Sequence, residues 1–320
     1  MIEEIRKIPK VELHLHLDGS ISLKMASMLS NLSIEEVKPK MIAKEKCASL
    51  AEYLTKFTFP ISLMQTKENL RLIAEDLVKR LEKENVIYAE VRFAPMFHKT
   101  KGLTYEDIIT SVLEGLKTSK VKTNLILCMM RGASFEDNND TINAALKFLG
   151  KGVCALDLAG DEKKYPTYLY QELFIKINKY NIPFTIHAGE AGSALEVEKA
   201  LEFGAKRIGH GIHAINQKDV YNNIIKNNIL LEICPTSNIQ TNATDMYKNH
   251  PIKRMYEDGI PLSINTDNST VSNISLSEEY IKLYNTFGLN TKDFKKINKM
   301  AIEHAFISDE EKKELLEKLI

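Results

Sequence analysis

Four histidines and two carboxylic acids stand in short stretches whose side chains could act together around a metal ion. Val11-Glu-Leu-His-Leu-His-Leu-Asp18 alternates apolar and polar residues, the period of a β-strand with two unlike faces. On that period Val11, Leu13, Leu15 and Leu17 share one face and Glu12, His14, His16 and Asp18 the other. Both imidazoles then point the same way, as paired metal ligands must, although the solvated face of a strand would read the same. Glu12 lies deeper on the polar face, where a buried carboxylate needs a partner; Arg92, on the polar side of the next strand, is the expected one.

Three later stretches extend the set: Thr185-Ile-His-Ala-Gly-Glu190, Arg207-Ile-Gly-His-Gly-Ile-His213 and Ser263-Ile-Asn-Thr-Asp-Asn268. His187 offers a third imidazole, and Asp267 a carboxylate, to a cation held by His14 and His16. Zinc suits nitrogen-rich sites completed by a carboxylate, iron and cobalt accept the same ligand types, and magnesium and calcium prefer oxygen. Such a cation makes hydroxide available at neutral pH. Glu190 can reach a substrate atom while staying off the metal, as a proton donor if burial raises its pKa. His210, between Gly209 and Gly211, can orient the attacking water or stabilise its charge, and Asp267 can accept its proton. The chemistry is metal-assisted hydrolysis at an electrophilic carbon.

The elements that must position these residues alternate. After the first strand comes a helical region over about residues 23–81, expected to break at Pro39 and Pro60. Strands follow at 86–94, 124–130, 153–159, 183–187, 207–210, 229–233 and 261–266. Helices separate them at about 104–120, 136–149, 168–180, 194–203, 218–226 and 252–257, and the tail from 277 to 320 reads as two or three more. Eight strands alternating with helices, without a linker or repeat, make an α/β fold of the (β/α)8 TIM-barrel type, one domain over residues 1–320, with extra helices after strand one and at the C-terminus. A doubly wound open sheet fits less well, because no glycine-rich fingerprint follows the first strand. In such a barrel the catalytic groups lie at the C-terminal ends of strands, which is where all these stretches fall.

Lys+Arg and Asp+Glu both number 43, a formal net charge of zero, which argues against nucleic acid or an acidic membrane surface as a partner. No apolar run reaches membrane-spanning length. The N-terminal Met-Ile-Glu-Glu-Ile-Arg-Lys has no signal-peptide pattern, so the expected compartment is cytoplasmic. Cys47, Cys128, Cys154 and Cys234 form no CxxC pair, against a disulfide framework or a thiolate metal site; Cys128 and Cys154 read as small core residues.

The motifs Val11–Ser20, Leu156-Asp-Leu-Ala-Gly-Asp-Glu162, His187-Ala-Gly-Glu190, Arg207-Ile-Gly-His-Gly211, Cys234-Pro-Thr-Ser-Asn238 and Asn265-Thr-Asp-Asn268 together resemble the adenosine deaminase family of metal-dependent hydrolases. The resemblance implies a zinc barrel, one Zn2+ per chain, that converts a 6-aminopurine nucleoside to its 6-oxo product and ammonia. It implies His14, His16, His187 and Asp267 as zinc ligands, Glu190 as donor to purine N1, and His210 and Asp267 as the groups that position and deprotonate the water. Among substrate contacts it implies His16, the Gly160 backbone N–H on purine N3, and Asp18 on the ribose 5′-hydroxyl. The segment 50–57 resembles the family's helical lid, with Tyr53, Leu54 and Phe57 over the substrate, although ordinary core packing would give the same stripe.

One position departs from the family. Many members have two consecutive aspartates after strand eight, where this chain has Asp267-Asn268. The second residue is expected to hydrogen-bond purine N7; a carboxylate must be protonated to donate there, and an amide donates at any pH. Within the family the resemblance implies that Asp18-Gly-Ser favours adenosine, with 2′-deoxyadenosine a second substrate, over free adenine or a 5′-modified adenosine. A two-metal amidohydrolase would want a lysine at the end of strand four, where the chain has Asp157-Leu-Ala-Gly. His98, His213, His250 and His304 are expected at the surface or behind the site.

Overall fold

The strands are buried along most of their length, polar residues included, since a parallel strand in an α/β fold is covered on both faces. The computed structural model describes residues 1–319. It contains eight parallel strands: β1 (Lys10–His16), β2 (Val86–Phe93), β3 (Lys122–Met130), β4 (Val153–Ala159), β5 (Thr185–Ala188), β6 (Arg207–His210), β7 (Leu230–Ile233) and β8 (Leu262–Ile264). They pair in two sets of four, β1 to β4 and β5 to β8. Parallel bridges between Leu156 and Phe184 and between Leu15 and Asp267 join the sets at both seams, so the strands follow one another around a barrel as expected. Every strand lies within two residues of its expected bounds.

The long β1–β2 connection breaks elsewhere than expected. Pro39 lies inside helix Ile34–Met41 and Pro60 inside helix Thr58–Leu63. Pro60 is the third residue of its helix, where no backbone donor is required, and Pro39 is two residues from the end of its own. The breaks follow local capping instead. Asn31 ends Leu23–Ser30 in a left-handed conformation, Ser33 opens the next helix with a capping box, and Ser49 and Thr66 cap Leu50–Leu54 and Lys67–Lys83.

The tail forms three helices, Leu276–Phe287, Thr291–Glu303 and Asp309–Glu317. Ala301, Ile302, Ala305 and Leu315 pack against Val11, Leu13, Tyr88 and Leu230 and close the floor of the barrel. Asn298 ties the same helices to the first strand by accepting from the Val11 N–H at 2.9 Å.

β1 does not keep the alternation of its sequence. Its pairing with β2 slips by one residue between Glu12 and Leu15, a β-bulge. The N–H groups of Leu13 and His14 converge on the Asn265 side-chain oxygen at 2.8 and 3.2 Å. Val11 and Leu13 therefore face inward with His14, while Glu12 joins Leu15 on the outer side near Leu77 and Leu276. The expected pairing of Glu12 with Arg92 is accordingly wrong. Glu12 accepts from the N–H and hydroxyl of Thr266, and burial pushes its carboxyl up to about 7. Arg92 instead binds Asp157 and Glu232, at 2.9 Å each, in the barrel interior.

Candidate active site

The residues singled out at the strand ends meet in one place. His14 and His16 come from β1, His187 from β5, and Asp267 from the turn after β8. Their ligand atoms lie within 4.8 Å of one another. His16 Nε2 is 3.2 Å from His187 Nε2, and Asp267 Oδ1 is 3.3 and 3.4 Å from the Nε2 atoms of His14 and His16. Gly209 makes this approach possible, since a Cβ there would stand 3.1 Å from the His14 ring.

These residues fit a divalent cation. His14 Nε2 is buried and makes no hydrogen bond among the described residues, which is costly unless something else meets its lone pair. On the far side of the rings, His14 Nδ1 faces Glu232 at 2.8 Å and His187 Nδ1 faces Asp157 at 3.0 Å. Carboxylates there hold the proton on Nδ1 and turn the Nε2 lone pairs inward. Formal charge agrees: buried Arg92 and Arg207 stand against Glu90, Asp157, Glu232 and Asp267, two negative charges in excess. Burial alone would raise the Asp267 carboxyl, but the His14 ring beside it and the other surrounding imidazoles hold it well below the usual range. Its other oxygen accepts from Ser237 at 2.6 Å.

Glu190 stands opposite, two residues past β5. Burial, reinforced by the nearby charges of Asp267 and Glu162, pushes its carboxyl well up, the direction that favours the protonated form. It accepts from Thr241 Oγ1 at 2.9 Å and lies 3.5 Å from His210 Nε2. Burial first, and then the neighbouring imidazoles, hold His210 well below its ordinary value, so it stays neutral. His210 and Asp267 both adopt left-handed backbone, at φ 62 each, a conformation uncommon outside glycine and frequent at functional sites.

Between these groups lies a cavity of about 250 Å³. Leu54, Phe57, Ile61 and Phe97 form apolar walls, and Asp18 and Gly160 also line it. Gly160 has φ 107, which a side chain would strain. Burial pushes the Asp18 carboxyl up to about 7. The expected lid segment divides into helix Leu50–Leu54 and a 3-10 turn Thr55–Phe57. Tyr53 lines the cavity and anchors the segment, its hydroxyl 2.7 Å from Ser272 Oγ and accepting from Asn268 Nδ2 at 3.2 Å. The Asn268 amide packs against Gly19, where a Cβ would fall 1.9 Å from its oxygen.

Residues that sequence reasoning left without a role surround the site. Asp157 and Glu232 orient the His187 and His14 imidazoles, Asn265 holds the bulge, Thr241 meets Glu190, and Asn238 meets His210 at 3.0 Å. Asp157 and Asn238 lie in motifs already quoted; Thr241 had no signal of its own. His98 and His250 are buried: His250 lies behind His210, one of the two places expected for it, and His98 stacks on Phe93 instead of lying at the surface. The ring nitrogens of His213 lie 2.7 and 3.1 Å from the Gly192 and Ala243 carbonyls. All four cysteines are buried free thiols.

Parallel α/β architecture with three imidazoles and a carboxylate at the C-terminal strand ends defines a metal-dependent hydrolase. The sequence profile of the adenosine deaminase family matches residues 9–320, and the chain belongs to that family. An adenosine deaminase of Clostridium perfringens is 39% identical across 96% of this chain and 97% of its own length. One of Clostridium acetobutylicum is 40% identical across 99% and 98%. The solved N6-methyl-AMP deaminase of Arabidopsis thaliana, 26% identical, aligns with a TM-score of 0.88 over 100% of this chain and 98% of that one.

Proposed function

We propose that this chain hydrolyses adenosine, and with it 2′-deoxyadenosine, to inosine or deoxyinosine and ammonia. The observation that carries the reading is the buried Glu190 carboxyl facing, across one apolar cavity, the cluster of His14, His16, His187 and Asp267. Those four residues would hold one zinc ion, which when bound supplies an activated water at neutral pH.

The purine ring sits between the two sides of the cavity. Glu190 gives its proton to N1 and so makes C6 electrophilic. The neutral imidazole of His210 and the carboxylate of Asp267 flank the water from the other side, and Asp267 takes its proton as oxygen bonds to C6. That proton passes to the exocyclic amine, the C6–N bond breaks, and ammonia leaves. The hydroxyl proton of the adduct returns to Glu190, so the 6-oxo product keeps the N1 proton and the enzyme is restored. Gly160 and Asn268 hold N3 and N7, Asp18 and His16 meet the sugar end, and Tyr53, Leu54 and Phe57 cover the ligand.

The walls support a nucleoside over a nucleotide, since no lysine or arginine lines the cavity among the described residues and a 5′-phosphate would meet Asp18 and apolar side chains. No helix is long and apolar enough to cross a membrane among the described residues, and free thiols suit the cytoplasm. Rates on adenosine, 2′-deoxyadenosine, adenine, AMP and 5′-methylthioadenosine test the assignment. Adenosine and deoxyadenosine should lead; preference for adenine or AMP would overturn it.

A further inference from the structure

Glu162 lies buried, 2% exposed, behind the loop that follows β5, and does not line the substrate cavity. Its carboxylate accepts four successive peptide N–H groups. Oε2 takes Gly189 at 2.8 Å; Oε1 takes Glu190 at 2.6 Å, Gly192 at 2.8 Å, and Ala191. Consecutive N–H groups turned towards one anion form a concave nest, and such charge-assisted bonds are short and strong. The loop is shaped for it: Gly189 has φ 71, and a Cβ at Gly192 would fall 3.2 Å from the Glu162 carboxylate. Both ends of the loop are also pinned. Arg131 donates to the His187 carbonyl at 2.7 Å, and His213 Nδ1 lies 2.7 Å from the Gly192 carbonyl.

Four donors on one carboxylate are more than a stable loop end requires, and the residue in the middle of them is Glu190. We propose that Glu162 is a positioning residue for Glu190: by gathering the N–H groups of residues 189–192 it fixes the direction in which the Glu190 side chain enters the cavity. The inference rests on the proposed role of Glu190 as proton donor. Misplacing a proton donor by about 1 Å costs roughly 100-fold in rate, whereas substrate contacts made by other residues stay intact. The signature is a fall in kcat with little change in KM.

The test is a double-substitution cycle in the metal-loaded enzyme, with slow turnover followed by chromatography of inosine. E162Q keeps the size of the side chain but sets an amide NH2 against backbone N–H groups. In the native background it should lower kcat by about 100-fold with KM within about threefold. In the E190Q background the same change should cost under about threefold, because the group it positions has already been removed. Equal losses in both backgrounds, or unchanged kcat in folded E162Q, would overturn the proposal. If E162Q does not fold, the cycle is run with E162D, which keeps the charge and shortens the reach; failure of both to fold makes Glu162 a stability residue alone and overturns it too. High activity in E190Q itself would refute the donor role, a separate result from the cycle.

Discussion

The Asn238 side chain donates from Nδ2 to His210 Nδ1 at 3.0 Å, while its oxygen lies 3.2 Å from His250 Nε2. His250 Nδ1 accepts from the Ile252 N–H at 3.1 Å, so the His250 proton sits on Nε2 and points at Asn238. The chain of bonds leaves His210 with its proton on Nε2, towards Glu190 and the cavity. An aspartate at position 238 would accept rather than donate, draw the His210 proton to Nδ1 and reverse the tautomer. N238D should therefore fold normally by circular dichroism and lose about 10²- to 10⁴-fold in kcat, the scale of a wrong-tautomer imidazole. Wild-type kcat in N238D would remove His210 from the reaction.

Asn265 acts on the candidate metal ligands through the backbone of β1. Its side-chain oxygen takes both N–H groups of the bulge, and without it the strand can return to strict alternation and turn His14 away from His187. N265A should weaken metal affinity by about 10- to 100-fold, the usual effect of a group that orients ligands. Competition with a chelator measures it; unchanged affinity would mean the bulge holds itself.

Asn268 is assigned to purine N7. N268A should lower kcat/KM on adenosine by about 10- to 100-fold, the scale of a lost hydrogen bond of about 1–3 kcal/mol. On 7-deazaadenosine, which has no N7 acceptor, the variant and the native enzyme should differ far less. Equal losses on both would place Asn268 in the lid anchor with Tyr53 and not on the ligand.

Buried histidines give stability a pH dependence with a definite sign. Burial lowers both His98 and His250 to about 3 from an ordinary 6.5. Between those values the unfolded chain binds a proton that the folded chain does not, so stability is lost as pH falls through 6.5 towards 3. The loss is about 1.4 kcal/mol per pH unit for each residue. H98L, which keeps apolar packing against Phe93, should lose about 2 kcal/mol less than the native chain between pH 7 and pH 5. Urea titrations at the two pH values check this; parallel losses would mean that His98 takes up its proton without unfolding.

Much of this was legible because it rests on local pattern. The bounds of β4 and β6 coincide with the expected ones, since a buried parallel strand is marked by composition, and the ligand histidines announce themselves by type at strand ends. Most of what escaped depends on residues distant in sequence. The bulge in β1 is held by Asn265, about 250 positions away, so strict alternation wrongly put Glu12 beside His14 and assigned it Arg92. Pro39 looked like a helix break because the capping serines around it were not weighed against it. Glu162 and His250 carry no chemistry on their own, and only the fold brings them behind Glu190 and His210.

Metal content and turnover measured on the same preparation of E190Q separate metal binding from proton donation. About one equivalent of zinc should be retained, as in the native enzyme, with adenosine deamination reduced by about 10²- to 10⁴-fold, the share of a general acid. Near-native deamination by metal-loaded E190Q, or full activity in native enzyme stripped of metal, would contradict the proposed reaction.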